Sequence, residues 1–407
     1  MDSPTVSMLA RSGSQWVEPE NLEMMPLPQG ATLVTLPGYL PIGLDDKGEI
    51  FLIEQVPGLP AQGVVFAVAA LLPQGFTRTL LPAGVRQNAS GCLPVYGYAA
   101  VGFRNEKIYV AAIKSDEHRK WHPKNYNTSN LEAKIKRLTH RYPNNRILHQ
   151  LSRCSLQYGC YTAQNIFYQR WEGGIPTMIS CNADCLGCIS ENHGPFDSPQ
   201  NRLTFLPEVD EIAQIGIEHL QMARDAIISF GQGCEGEPSL NATKLALAIK
   251  KIREETSLGT INMNTNAGYT RGIRQMCDAG LDSMRVTIFS CREDNYLSYH
   301  RPKDYLLTDV INSIHYAKDK GLGISLNLLV FPGFTDREEE VQALLSFVQG
   351  NPVDMIQLRN LNIDADFLMN NLRGDSPGIG IGNFIKVLRQ EVPQVRLGSY
   401  SHPVSGA

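Results

Sequence analysis

The chain has 407 residues, 43% hydrophobic and 19% charged, enough for a sizeable core and for two domains or one large barrel with an extension. Lys and Arg number 37 against 41 Asp and Glu, and the formal charge of −4 excludes a global pull toward nucleic acid or anionic membranes. The longest apolar runs, such as 64–72, are far too short to span a bilayer, no export signal opens the chain, and nine cysteines make an odd number. A disulfide framework is therefore disfavoured, and the cytoplasm is the expected compartment.

Residues 1–170 carry much of the Pro and Gly punctuation and several alternating segments, and read as a smaller β-rich domain. Within it, 39–54 and 96–113 have the pattern of β-hairpins with polar turns, Asp-Asp-Lys-Gly and Arg-Asn-Glu-Lys. The polar, basic stretch 114–146 reads as a loop leading into a short helix, with its charges on a solvated face.

From 171 to 366 apolar strand-like runs alternate with amphipathic helical stretches, the mark of β/α units on a parallel sheet. Strands are expected near 175–180, 225–231, 260–266, 283–290, 323–330 and 355–361, and helices near 208–223, 240–255, 270–279, 305–320 and 336–349. Six units predict an α/β fold, a partial (β/α)6 TIM-like barrel of parallel strands. Residues 367–407 are left as a C-terminal helix and tail.

Buried parallel strands normally read as continuous apolar runs. Here Asn262, Asn264 and Asn266 share one face of a strand, as do Arg285 and Thr287, Ser325 and Asn327, and Gln357 and Arg359. The alternatives are a polar lumen that holds a polar ligand and an open sheet with one wet face; the polar lumen is the expectation.

Directly after the first expected strand, the stretch 178–192, "MISCNADCLGCISEN", places Cys181, Cys185 and Cys188 within eight positions. A structural zinc site wants four ligands. Three close thiols suit a cubane iron–sulfur cluster that keeps one iron without a protein ligand, open to a small chelating molecule.

C-x3-C-x2-C after the first strand of a β/α barrel resembles the radical S-adenosylmethionine (SAM) superfamily. Gly187, before the third cysteine, stands where many members have an aromatic residue. After the second strand, Gly236-Glu237-Pro238 resembles the superfamily's Gly-Gly-Glu-Pro signature, with Glu235 in place of its first glycine. The resemblance covers about 173–366. It implies a 4Fe-4S cluster on Cys181, Cys185 and Cys188, with SAM held by Gly236, Glu237 and Pro238, by Asn264 and Asn266, by Arg285, Thr287 and Ser290, and by the segment of Asn327. It also implies reductive cleavage of SAM to a 5′-deoxyadenosyl radical that abstracts hydrogen from the substrate, and an electron donor such as a flavodoxin or ferredoxin.

Cys277 reads as a core residue, while Cys92, Cys154, Cys160, Cys234 and Cys291 could ligate a second iron–sulfur cluster or remain inert thiols. No run of aromatics among basic residues favours RNA, so an unidentified peptide or small-molecule substrate is preferred to it. The competing reading is a non-catalytic iron–sulfur electron carrier or scaffold. A zinc-binding domain is the third.

Overall fold

The computed structural model describes residues 7–55, 65–87, 91–117, 119–374 and 376–404. The first six residues of the segment read for an export signal, and residue 64 of the apolar run 64–72, lie outside them.

Seven parallel strands lie side by side in chain order: Arg170–Gly174, Arg224–Phe230, Thr260–Thr265, Ser283–Ile288, Gly323–Val330, Met355–Asn360 and Arg396–Gly398. The pairing path ends at the first and seventh, so the sheet is an open half-barrel. Helices Val209–Met222, Ala242–Glu255, Thr270–Cys277, Leu307–Asp319, Glu338–Gly350 and Ile381–Glu391 carry the chain back between strands. Their starts are written locally: Glu208 donates its amide to Glu211 Oε2 at 2.8 Å, closing the first turn of the helix that follows.

Two strands differ from expectation. The first precedes 175–180 rather than occupying it, and the seventh lies in the stretch read as tail, paired with the sixth through Met355–Arg396, Ile356–Leu397 and Gln357–Gly398. Three residues are too few to show a period in the sequence.

The two faces of the sheet separate as the alternation predicts. Ile261, Met263, Val286, Ile288, Leu326, Leu328, Ile356 and Leu358 are buried in the main core with the helices. On the other face Asn264, Arg285 and Ser325 stand in one row across the strands, and Thr287, Asn327 and Gln357 in the next. Asn262, Asn264, Arg285 and Gln357 are buried and hydrogen-bonded, which makes this face a polar lumen rather than a wet surface. The end of the chain crosses the amino-terminal side of the strands. Ser401 Oγ accepts from Arg285 Nη1 at 2.8 Å, and Val404 donates its amide to Thr260 Oγ1 at 3.1 Å.

The N-terminal region is antiparallel and β-rich. Its main sheet runs Phe76–Arg78, Lys107–Lys114, Tyr98–Arg104, Val68–Leu71 and Thr32–Thr35, with Met24–Pro26 added on Lys107–Lys114. Both expected hairpins form. The tighter one turns on Asn105 and Glu106, at φ 50° and 59°, the two left-handed residues that let a two-residue turn match strand twist. The basic stretch leads into the helix Leu131–Arg141. That helix, together with Arg146–Gln157 and Tyr161–Tyr168, buries its apolar side in the half-barrel's core.

The β-rich region sits over the carboxyl ends of the strands. Leu81 and Val95 share a core with Leu186 of the cysteine loop and with Phe331, Phe334 and Leu361. Buried Asp364 accepts from Arg86 Nη2 at 2.8 Å and from the Leu93 amide at 2.9 Å. Arg78 is fully buried, donating to the carbonyls of Tyr98 and Leu361 at 3.1 and 2.6 Å with its guanidinium over Phe331. Burial holds its pKa down to about 9. Arg78→Ala leaves a cavity and two carbonyls without these donors. We expect a loss of about 3 kcal/mol in urea unfolding and faster proteolysis of the β-rich region.

Candidate active site

The first strand stops at Gly174 because a carboxylate intervenes. Ile175 still donates to the Ser229 carbonyl at 3.0 Å, but the Thr177 amide and hydroxyl both donate to Glu235 Oε2, at 2.7 and 2.8 Å. The stretch 175–180, expected as a strand, therefore runs outside the ladder, and the cysteines still emerge at the carboxyl end of the sheet.

The cysteine loop is gripped from both sides. On one, the Gly236 amide donates to the Met178 carbonyl at 2.8 Å and the Glu237 amide to the Ser180 carbonyl at 2.9 Å. The approach is close enough that a Cβ on Gly236 would stand 1.9 Å from the Ser180 oxygen. On the other, residues 299–303 run beside the loop: Leu186 donates to Tyr299 O at 2.9 Å, Asp184 to Arg301 O at 3.2 Å, and Lys303 to Asn182 O at 3.0 Å. The aromatic absent at Gly187 has a counterpart here, since a Cβ at Gly187 would meet the Tyr299 hydroxyl at 2.8 Å.

All three cysteines are half-buried. Burial pushes the Cys185 thiol well above its ordinary range, and Cys181 and Cys188, close enough to repel its thiolate, push it further. Burial and then Glu237 push Cys181 up to about 12. Thiols raised in this way, Cys181 and Cys185, favour the protonated form until a metal ion stabilises the thiolate, which suits a soft metal centre. Arg202 leans in from the side, its Nη2 at 3.9 Å from Cys188 Sγ and its Nε donating to Ser190 Oγ at 3.4 Å. Among the described residues no three His, Cys, Asp or Glu side chains converge to hold a single metal ion. Cubane ligation asks for a wider spread, because each thiolate binds a different iron.

Gly236, Glu237 and Pro238 lie against this loop, with Pro238 opening the short turn Pro238–Asn241. The Glu237 carboxylate is buried and occupied. It accepts from Thr265 Oγ1 at 2.5 Å, from the Ser239 amide at 3.0 Å and from the Asn266 amide at 2.8 Å, bracing the turn on the end of the third strand. Asn266 donates from its side chain to Asn182 Oδ1 at 2.7 Å, tying that strand to the cysteine loop. Asn264 accepts from Asn262 at 3.1 Å, and its own Nδ2 is buried without a partner.

Arg285 donates to Gln357 Oε1 at 3.1 Å and lies 3.5 Å from Glu172, while its Nε has no partner. Two buried donors in the lumen, Asn264 Nδ2 and Arg285 Nε, are thus open to acceptors of a polar ligand. Thr287 and Asn327 bond to each other at 3.1 Å on this face. Ser290 is separate from them: its hydroxyl donates to Glu340 Oε2 at 2.6 Å, bracing the fourth strand on the helix Glu338–Gly350.

Three residues of the site escape the sequence reading. Glu172 accepts from Ser229 Oγ at 2.7 Å and anchors the lumen network. Glu235 is more than a departure from a motif. Its Oε1 accepts the Gly231 and Gln232 amides at 2.6 and 3.0 Å while Oε2 holds Thr177, and burial raises its pKa to about 7. His300 lies 3.5 Å from Cys185 Sγ.

Of the other cysteines, Cys277 is buried in the core. Cys154 and Cys234 touch at 3.1 Å, with Cys160 near enough to repel both. Cys92 lies by Asp364 and Cys291 by Glu340, away from that trio. A cavity of about 530 Å³ between the β-rich region and the helix Ile381–Glu391 is lined by none of these residues.

Residues 175–345 match the model of the Radical SAM superfamily. Over 213 residues the chain is 25% identical to a probable dual-specificity RNA methyltransferase RlmN of Cytophaga hutchinsonii, an alignment covering 48% of this chain and 54% of that protein. Over 196 residues it is 24% identical to a GTP 3′,8-cyclase of Rhizobium etli, covering 46% of this chain and 51% of that one. The chain thus spans about half the length of the curated relatives it matches. Among solved structures, methylornithine synthase (PylB) is similar at 12% identity with a TM-score of 0.40, over 57% of this chain and 68% of that one. A half-barrel of parallel strands, a C-x3-C-x2-C loop at its carboxyl end and the family match place residues 175–345 of this chain in the radical SAM superfamily.

Proposed function

We infer that the chain is a radical SAM enzyme acting on a peptide or small molecule, with a 4Fe-4S cluster on Cys181, Cys185 and Cys188. The observation that carries this reading is the double grip on the cysteine loop, which presents Cys181, Cys185 and Cys188 together beside the Gly236-Glu237-Pro238 turn. When bound, the cluster and SAM supply reductive cleavage of the sulfonium to methionine and a 5′-deoxyadenosyl radical that takes a hydrogen atom from the substrate.

The residues of this chain hold and shield. The turn at Gly236 brings its backbone beside the cluster loop, where a SAM amino group would sit, and the unpartnered donors of Asn264 and Arg285 face its polar groups from the lumen. The Thr287–Asn327 pair adds hydroxyl and amide, while Ser290 supports the wall from behind. The β-rich region closes the carboxyl face through Leu81, Val95 and Arg78, so it would select the substrate and keep water from the reacting carbon.

RlmN is by name an RNA methyltransferase and the cyclase is by name a GTP enzyme. The basic stretch here weakens the case for an RNA substrate, because part of its charge is turned toward the barrel: Lys120 pairs with Asp225 at 2.7 Å, Arg146 with Glu211 at 2.6 Å, and Arg141 with Glu218. Reduction would come from a low-potential one-electron donor such as a flavodoxin or ferredoxin.

The reading is tested anaerobically on reconstituted protein with dithionite and SAM. Release of 5′-deoxyadenosine and methionine is expected; a fully loaded protein that releases neither is an electron carrier or scaffold instead. Cys154, Cys160 and Cys234 are the set on which a second cluster would assemble. Iron counting separates the cases, about four per chain for one cluster and about eight for two, the surplus vanishing in Cys154→Ser.

A further inference from the structure

His300 ends the helix Glu293–His300 and lies almost wholly buried between two rings, 4.5 Å from Tyr296 and 5.0 Å from Tyr299 between centroids. It belongs to the segment 299–303 whose backbone runs along the cysteine loop, so its place relative to that loop is set by three main-chain hydrogen bonds. Its ring touches both the sheet and a cysteine. The Phe289 amide donates to Nε2 at 3.2 Å, and Nδ1 lies 3.5 Å from Cys185 Sγ.

The first contact decides the second. A backbone amide can only donate, so Nε2 must present its lone pair. A neutral imidazole carries its single proton on the other nitrogen, and Nδ1 is therefore an N–H aimed at sulfur. The end of the fourth strand in this way selects the tautomer of a ring that faces the cysteine loop.

We propose that His300 is a positioning residue that donates an Nδ1–H···S hydrogen bond to the Cys185 ligand and thereby raises the reduction potential of the cluster. This rests on the reading of Cys185 as a cluster ligand. Hydrogen bonds to the sulfurs are one of the levers that set cluster potentials, because a donor stabilises the more electron-rich, reduced form more than the oxidised one. One such bond is expected to shift the equilibrium between oxidised and reduced cluster about tenfold toward reduction, which for one electron corresponds to about 59 mV. Cys181 and Cys188 have different neighbours: Glu237 lies nearest in charge to the first, and Ser190 and Arg202 approach the second. The buried ring contact is thus specific to Cys185.

The test is an EPR-monitored redox titration of anaerobically reconstituted full-length protein, with iron and sulfide counted on the same samples. His300→Gln keeps an acceptor within reach of the Phe289 amide but withdraws the donor from Cys185. It should retain wild-type iron and show a midpoint lowered by about 59 mV, the tenfold change above. His300→Phe removes both functions and should fall as far. His300→Asn, whose amide can take the place of Nδ1, should recover most of the difference.

A midpoint unchanged in the Gln and Phe variants at full iron overturns the proposal. Loss of iron from all three overturns it too, since that is what a purely structural histidine would give. Cys185→Ser separates this inference from the reading beneath it: if that variant keeps a wild-type cluster, Cys185 is no ligand, whatever the histidine variants do.

Discussion

Replacing Cys181, Cys185 and Cys188 together by alanine should leave a folded protein that assembles no cluster. The loop is held by main-chain hydrogen bonds to 236–237 and 299–303 and by Leu186 in a buried cluster, none of which uses a cysteine side chain. The thiols are half-buried, so their removal opens little cavity, and urea midpoints should move by no more than about 1 kcal/mol. Iron after anaerobic reconstitution should fall from about four per chain to background, the brown absorbance with it, and 5′-deoxyadenosine production should disappear. Each single serine variant should lose most of the same signal, because two thiolates cannot grip a cubane firmly. A triple variant that keeps its iron would place the cluster on other residues, with Cys154, Cys160 and Cys234 the next set to test.

Gly236→Ala should be as damaging by a different route. The new methyl would stand 1.9 Å from the Ser180 oxygen and 2.4 Å from its carbonyl carbon, both backbone atoms with no side-chain freedom to retreat. Relief requires parting the Gly236–Met178 and Glu237–Ser180 hydrogen bonds, which carries the cysteine loop away from the turn. Two broken buried bonds and the displaced packing cost about 3 kcal/mol or more. The expected result is a strong loss of assembled cluster and of SAM affinity in a chain whose half-barrel still melts cooperatively. Gly350→Ala is the control: nothing lies within 4 Å of the added methyl at the end of its helix, and cluster content should not change. Normal cluster and SAM binding in Gly236→Ala would mean that the turn does not support the loop.

Local pattern was enough for several conclusions. Amphipathic periods mark the crossover helices, and the alternation of Asn, Arg and Thr with Ile, Met and Val on the strands is enough to predict a polar lumen. Cys181, Cys185 and Cys188 are close in the chain, so their nearness in space follows from covalent connectivity alone. The hairpin on Asn105 and Glu106 is equally local.

What the pattern missed depends on residues far apart in the chain. The strand expected at 175–180 looked apolar and β-branched enough, yet Thr177 gives its amide to Glu235, 58 positions away, and the ladder ends early. Glu237 stands in the sequence as a residue expected to hold SAM, and folding spends its carboxylate on Thr265 and Asn266. His300 has no motif around it and comes to Cys185 across 115 positions only because residues 299–303 dock along the loop.

The chain by itself determined which cysteines stand together and which face of each strand is polar, since both are set within one loop or one strand period. Tertiary structure alone decided which carboxylates remain available, which histidine faces the sulfur, and that the β-rich region packs against the carboxyl end of the half-barrel. Those outcomes are choices among distant hydrogen-bond partners, and burial makes a partner obligatory without revealing in the sequence which one it will be.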